Sequence, residues 1–143
     1  MMKLYRVLPL IVLPACTTLT PSPAPDEPLP ARSDNTAVVA LLETARQDTA
    51  AGRLEAAAAT LERALRSEPR NASLWSQLAR VRLQQGQPGQ TIQLATKSNA
   101  LAAGDNRLRA ENWRLIGEAR ASRGDHAGAE AAFAKAEEFY ERR

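Results

Sequence analysis

Three glycines divide most of this chain into units of nearly equal length. Gly52, Gly86 and Gly124 are spaced by 34 and then 38 residues. Aligning the chain on them brings other positions into register. Leu41, Trp75 and Trp113 coincide, as do Thr44, Leu78 and Ile116. Ala45, Ala79 and Gly117 are small at one shared place, and Ala64, Ser98 and Ala136 at another. Leu61, Ala95 and Phe133 match, and so do Ala57, Thr91 and Ala129. Such a period marks an array in which no unit can bury its own apolar stripe, so neighbours must stack. This constraint excludes most other folds.

The apolar residues between the glycines recur at helical spacing, which makes each unit a pair of amphipathic helices around a turn. Six helices are expected, at about 36–50, 54–67, 72–85, 88–103, 106–122 and 126–142. Ser33, Asp34 and Asn35 are cap candidates for the first, Asn71 for the third, Asp105 for the fifth and Asp125 for the sixth. Pro88 suits the first turn of the fourth, and Pro69 closes the first unit. The four extra residues before Trp113 either extend the fifth helix by a turn or lengthen the loop before it. The fourth helix departs from the pattern, with Pro88, Thr91 and Ala95 where larger residues are usual. Leu83 reads as core, while Phe139 and Tyr140 either cover the end of the core or form an adhesive edge.

This period and these residue types resemble the tetratricopeptide repeat. The resemblance implies an all-α fold, with three helix-turn-helix repeats in a short right-handed solenoid over 36–143, at about 38–71, 72–105 and 110–143. In that family the first helix of each pair lines a concave, partner-binding surface. Carried over, this points Leu42, Arg46 and Thr49 inward from the first unit. Ser76, Arg80 and Gln84 follow from the second, then Arg114, Glu118 and Ala121 from the third. Arg46 and Arg80 are equivalent, and Arg114 lies one turn away on the same face. Three guanidinium forks in one groove would suit carboxylates of an acidic segment or a chain terminus. The Lys and paired Asn of the family's carboxylate clamp are absent. No acid lies between Glu68 and Asp105, while Arg70, Arg80, Arg82 and Lys97 do. The competing account of these arginines is an ordinary solvated helix surface.

The N-terminus resembles a bacterial lipoprotein signal. Lys3 and Arg6 precede an apolar run from Val7 to Leu13, and Leu13-Pro14-Ala15-Cys16 ends it. The run is too short to cross a ~30 Å bilayer core, which takes ~20 apolar residues. The resemblance implies that 1–15 is removed and that Cys16 carries the lipid, a diacylglycerol with a palmitate. Removal of Lys3 and Arg6 turns a formal charge of +3 into 17 cations against 16 acids. That near-neutral balance argues against nucleic acid as a partner. Cys16 is the only cysteine, so no intramolecular disulfide can form. The linker over 16–35 contains Pro21, Pro23, Pro25, Pro28 and Pro30. It reads as a tether of roughly 20 residues reaching up to ~60 Å at ~3.1 Å each.

Catalytic signals are weak. His126 is the only histidine and reads as a surface turn residue, and no phosphate-cradling or nucleophile-elbow pattern occurs. No catalytic residue, metal site or cofactor is expected. The layout of tether and small repeat domain resembles outer-membrane lipoprotein activators of class A penicillin-binding proteins. The resemblance implies a chain anchored on the periplasmic face of the outer membrane by the lipid on Cys16 alone, since Thr17 stands where such proteins kept at the inner membrane carry Asp. It also implies a protein partner, a class A penicillin-binding protein. A pilotin for a type IV pilus secretin and a structural envelope scaffold are the alternatives, and the oligomeric state stays open.

Overall fold

The computed structural model describes residues 32–142. Cys16, the signal over 1–15 and the linker as far as residue 31 lie outside the described residues. Six α-helices follow one another: α1 Thr36–Ala50, α2 Leu54–Ser67, α3 Ala72–Gln84, α4 Pro88–Leu101, α5 Asn106–Ser122 and α6 His126–Glu141. The sequence placed each within two residues of these bounds. α1 packs on α2, α3 on α4 and α5 on α6, giving three antiparallel pairs in a short solenoid.

Local chemistry sets the helix ends. The side chains of Asn35, Asn71, Asp105 and Asp125 accept hydrogen bonds from Ala37, Ser73, Leu108 and Gly128 N–H, satisfying amides that α1, α3, α5 and α6 leave open. Pro88 opens α4, where its missing N–H costs nothing. The turn inside each pair is one motif used three times. At Gly86 the backbone enters the left-handed region at φ 71°, and Gln87 N–H reaches back to Arg82 C=O at 2.9 Å. Arg53 to Asp48 and Asp125 to Arg120 repeat that bond at 2.8 and 3.0 Å. A side chain at the glycine would strain this reversal, so the glycine period records the turn geometry.

The four additional residues of the third pair lie in α5, which has 17 residues against 13 in α3. The longer-loop alternative falls away. The small positions are crossing points: Ala45 and Ala79 are buried, and Gly117 lies directly under the Phe133 ring. Trp75 donates from Nε1 to Pro69 C=O at 2.9 Å, and Lys135 Nζ sits 5.0 Å from the Trp113 ring centre.

The buried apolar residues form two clusters, and half-buried Leu94 packs against both. The larger joins α1, α2 and α3 through Val38, Leu61, Leu65, Leu74, Leu78 and Val81, with Leu41, Leu42 and Trp75 at its margin. The smaller joins α3 to α6 through Ala79, Ala95, Leu115, Ile116 and Ala132, with Leu83 and Trp113 beside it. Each fully covered Leu or Ile contributes ~1.5–3 kcal/mol. Thr91, Ser98 and Asn112 are also wholly buried, and this polar layer interrupts the apolar packing. The small side chains of α4 that broke the sequence pattern are the ones that let α3 and α5 close on both sides of it. Phe139 and Tyr140 are half-buried, and Arg109 stacks over Phe139 at 5.6 Å. His126 is exposed at the start of α6.

Candidate functional site

The nine residues assigned to a concave surface come from the first helix of each pair, α1, α3 and α5. Their surroundings differ sharply. On α1, Leu42 and Thr49 are half-buried, Leu42 against the larger cluster and Thr49 with its Oγ1 donating to Ala45 C=O at 2.8 Å. Arg46 is exposed and paired within its own helix. Its Nε and Nη2 donate to the two Glu43 oxygens at 2.9 and 2.7 Å. Gln47 adds a third donor to Glu43 at 2.8 Å. The hydrogen bond from Arg46, helped by that from Gln47, holds the Glu43 carboxyl far below its ordinary value, at about 2.

On α3 the face is partly closed. Ser76 is 2% exposed and so offers no surface to a partner, contrary to expectation. The cause is α5, which packs directly on α3 as well as on α4 and α6. Arg80, one turn further, forms an ion pair across that contact with Glu111 of α5; their side chains are only 18% and 12% exposed. Burial and then the neighbouring Arg114 depress the Arg80 guanidinium, while Glu118 acts in the opposite direction. Gln84, at the end of α3, is exposed.

On α5, Arg114 lies 3.6 Å from Glu118, one turn along, with both side chains partly open to solvent at 39% and 44%. Ala121 is half-buried beyond them. The arrangement therefore brings Arg80, Arg114, Glu111 and Glu118 into one mixed-charge group between α3 and α5. Arg46 is engaged separately on α1. Charge of both signs in a partly dehydrated site favours a ligand that can replace one of the internal carboxylates. It gives less net attraction than three unpaired guanidiniums would.

Sequence reasoning missed Glu111 and Glu43. A signal existed for the first: Glu111, Arg114 and Glu118 follow at three- and four-residue steps, which places them on one helical face. The locally basic middle unit is likewise balanced from outside. Glu111 of α5 neutralises Arg80, and Glu62 of α2 neutralises Arg82. Arg70 and Lys97 remain as its exposed cations.

Among the described residues no cluster of His, Cys, Asp and Glu is able to hold a metal ion, and no helix is long and apolar enough to cross a membrane.

The geometry agrees with what known proteins show. The tetratricopeptide repeat family model matches residues 48–110. The globular C-terminal domain of P. aeruginosa LpoP superposes with a TM-score of 0.71 at 43% sequence identity, over 73% of this chain and 99% of that one. MamA, with a TM-score of 0.66 at 23% identity over 75% of this chain and 60% of its own, shows likeness of fold alone. No curated protein matches the sequence.

Proposed function

We propose a specific protein-binding role for this chain, which belongs to the tetratricopeptide repeat family, in the group of the LpoP globular domain. A stack of helix pairs presents an extended surface to another protein, and this much the fold implies. The finer reading is an activator of a peptidoglycan synthase, a class A penicillin-binding protein. One observation supports it beside the layout of tether and repeat domain: 43% identity over 99% of the globular C-terminal domain of P. aeruginosa LpoP.

In this reading Cys16 is acylated, residues 16–35 form the tether, and residues 36–143 face the periplasm from the outer membrane. Two acyl attachments give stable anchoring where a single chain is marginal. The partner meets the surface that carries Leu42, Arg46, Thr49, Gln84, Arg114 and Glu118, beside the Arg80–Glu111 ion pair.

The test is reconstitution. The lipidated chain, mixed with a class A penicillin-binding protein of the same bacterium, raises the rate of glycan polymerisation. An unchanged rate, or recovery of a secretin subunit as the bound protein, removes the activator reading. For the surface, Arg46→Glu with Arg114→Glu weakens binding at unchanged helicity, because both side chains are open to solvent. Arg80 is unsuitable for that test, since Arg80→Glu would set two carboxylates against each other at Glu111. For the anchor, Cys16→Ser releases the chain from membranes, and mass spectrometry of the mature wild type finds the acyl mass on Cys16.

A further inference from the structure

The third helix pair leaves open a face that the first two pairs cover. In α2, Ala58, Leu61 and Leu65 are buried, clustered with Leu74, Leu78 and Val81 of the next pair. The repeat register carries these three positions to Ile92, Ala95 and Asn99 of α4. There too the following helix closes over them. Ile92 and Ala95 pack with Leu115 and Ile116 of α5, and Asn99 Oδ1 accepts from Asn112 Nδ2 at 3.0 Å. In α6 the same register gives Glu130, Phe133 and Glu137. Among the described residues α6 packs chiefly on α5, and no later helix follows it. Glu130 and Glu137 are exposed, and Phe133 is 37% exposed where Leu61 and Ala95 are 3% and 0%. A terminal unit needs polar outer positions to stay soluble, which accounts for the two carboxylates but not for the ring between them.

The ring is already held in place. Gly117 of α5 lies so close beneath it that a Cβ there would strike the ring. Phe133 thus rests on α5 while part of it faces solvent, and it has little rotameric freedom left to lose on binding. Its surroundings are acidic. Glu130 and Glu137 make no ion pair among the described residues, and the α6 cations are engaged elsewhere: Lys135 lies over the Trp113 ring and Arg142 pairs with Glu138. Glu118, next to Gly117 on α5, adds a third carboxylate. One pair earlier its place is taken by Arg80, which crosses to Glu111 of the following helix. At the open end the sign is reversed, so the complement there brings a cation.

We propose that this face docks a cationic amphipathic helix of another protein, antiparallel to α6, where the first helix of a further pair would stand. An apolar side chain of that helix covers Phe133. Lys or Arg four residues before it meets Glu137, and Lys or Arg three residues after it meets Glu130. A second copy of this chain is a poor occupant. Its α1 has Ala40, Thr44 and Gln47 at the places of Leu74, Leu78 and Val81, with Glu43 beside them. The inference rests on the protein-binding reading, but the face only adjoins the arginine-bearing groove, at Glu118, and selects the opposite charge.

The probe is a capped, Ala-rich helical peptide of about 17 residues with Leu at its centre, Lys four residues before it and Lys three residues after it. A control peptide has Glu for both Lys. Each is titrated by NMR into the chain from residue 16 onward, carrying Cys16→Ser. The Lys peptide is expected to shift amides of 117–118 and 130–137. It should bind at least roughly fivefold more tightly than the Glu peptide, a preference that shrinks as salt is added. Glu130→Lys with Glu137→Lys, both on exposed positions and so harmless to the fold, reverses the preference. Phe133→Ala weakens binding of the Lys peptide, with helicity verified by circular dichroism. No binding, equal binding of the two peptides, a preference that survives the charge reversal, or shifts confined to the arginine-bearing groove each overturn the proposal. A dimer that Phe133→Ala dissolves overturns it too, assigning the face to a second copy. Glycan polymerisation keeps the two readings apart. A chain that stimulates the synthase but ignores the peptide retains the activator reading and loses this face, and the converse result does the opposite.

Discussion

The two junctions between neighbouring helix pairs are built from opposite materials. Where α2 meets α3 the buried cluster is aliphatic, with Ala58, Leu61 and Leu65 on one side and Leu74, Leu78 and Val81 on the other. Where α4 meets α5 the wholly buried set includes Ser98 and Asn112. Asn112 Nδ2 donates to Ser98 Oγ at 2.8 Å and to Asn99 Oδ1 at 3.0 Å, and Ser98 Oγ donates onward to Ala72 C=O at 2.7 Å. A single relay thus ties α5 through α4 to α3. Apolar contact is non-directional and stabilises without fixing a register, whereas buried hydrogen bonds are satisfied in one arrangement only. The first junction stabilises by apolar contact. The second fixes how α3 and α5 sit together, and with them Arg80, Glu111, Arg114 and Glu118.

Leu74 is the strongest lever on this contrast, being fully covered within the aliphatic junction. Leu74→Ala removes its buried methyl groups and leaves a cavity, at a cost of about 3 kcal/mol. Urea unfolding with an unchanged slope would measure it. A loss below about 1 kcal/mol would mean that the first junction collapses around the gap. Next comes the ion pair at the second junction. Glu111→Ala strands the Arg80 guanidinium in a poorly hydrated place and costs about 2 kcal/mol. Arg80→Met with Glu111→Leu recovers most of that, because removing both partners also removes their desolvation. If the double variant is as unstable as the single one, the pair is a net source of stability and the contrast between junctions is smaller than drawn.

Much of the architecture was legible because repeat geometry writes itself into sequence. A reversal through a left-handed residue needs glycine, so Gly52, Gly86 and Gly124 disclosed the period and, with it, the six helices. Caps follow from short polar side chains, and Asn71, Asp105 and Asp125 were read correctly on that ground. What failed to show was anything settled by contact between elements. Ser76 is equivalent to Leu42 and looks like a surface residue, yet the direct packing of α5 on α3 buries it. The basic character of the middle unit was real in sequence but is cancelled in space by Glu62 and Glu111 from flanking pairs. The polar relay was invisible for a related reason: Ser98 and Asn112 are 14 residues apart and belong to different pairs.

That relay provides a smaller test. Asn112→Ala removes two donated hydrogen bonds from a site with no exposure and costs about 1.5 kcal/mol. Its distinguishing sign lies in dynamics, since amide exchange should quicken in α5 and α4 while α1 and α2 stay as protected as before. Uniform quickening would show that the two junctions unfold as one unit, and the division between them would lose its meaning.

The smallest effect concerns Glu43 and Arg46, on the α1 face remote from both junctions. Glu43 is exposed, so its pairing is expected to add almost nothing to stability, and Glu43→Gln should unfold at an unchanged urea concentration. The pair should nevertheless be visible by titration. A carboxyl whose value in the folded chain falls from 4.5 to about 2 contributes whatever stability it has above its ordinary value. It loses that contribution as the pH drops towards 2. Carbon-detected NMR of the Glu43 carboxyl should find the lowered midpoint at low ionic strength, rising as salt screens Arg46. An ordinary midpoint at every salt concentration would mean that Arg46 is free in solution. The α1 face would then present an unpaired guanidinium, unlike the α3–α5 face where Glu111 and Glu118 hold Arg80 and Arg114. An acidic partner would engage α1 first.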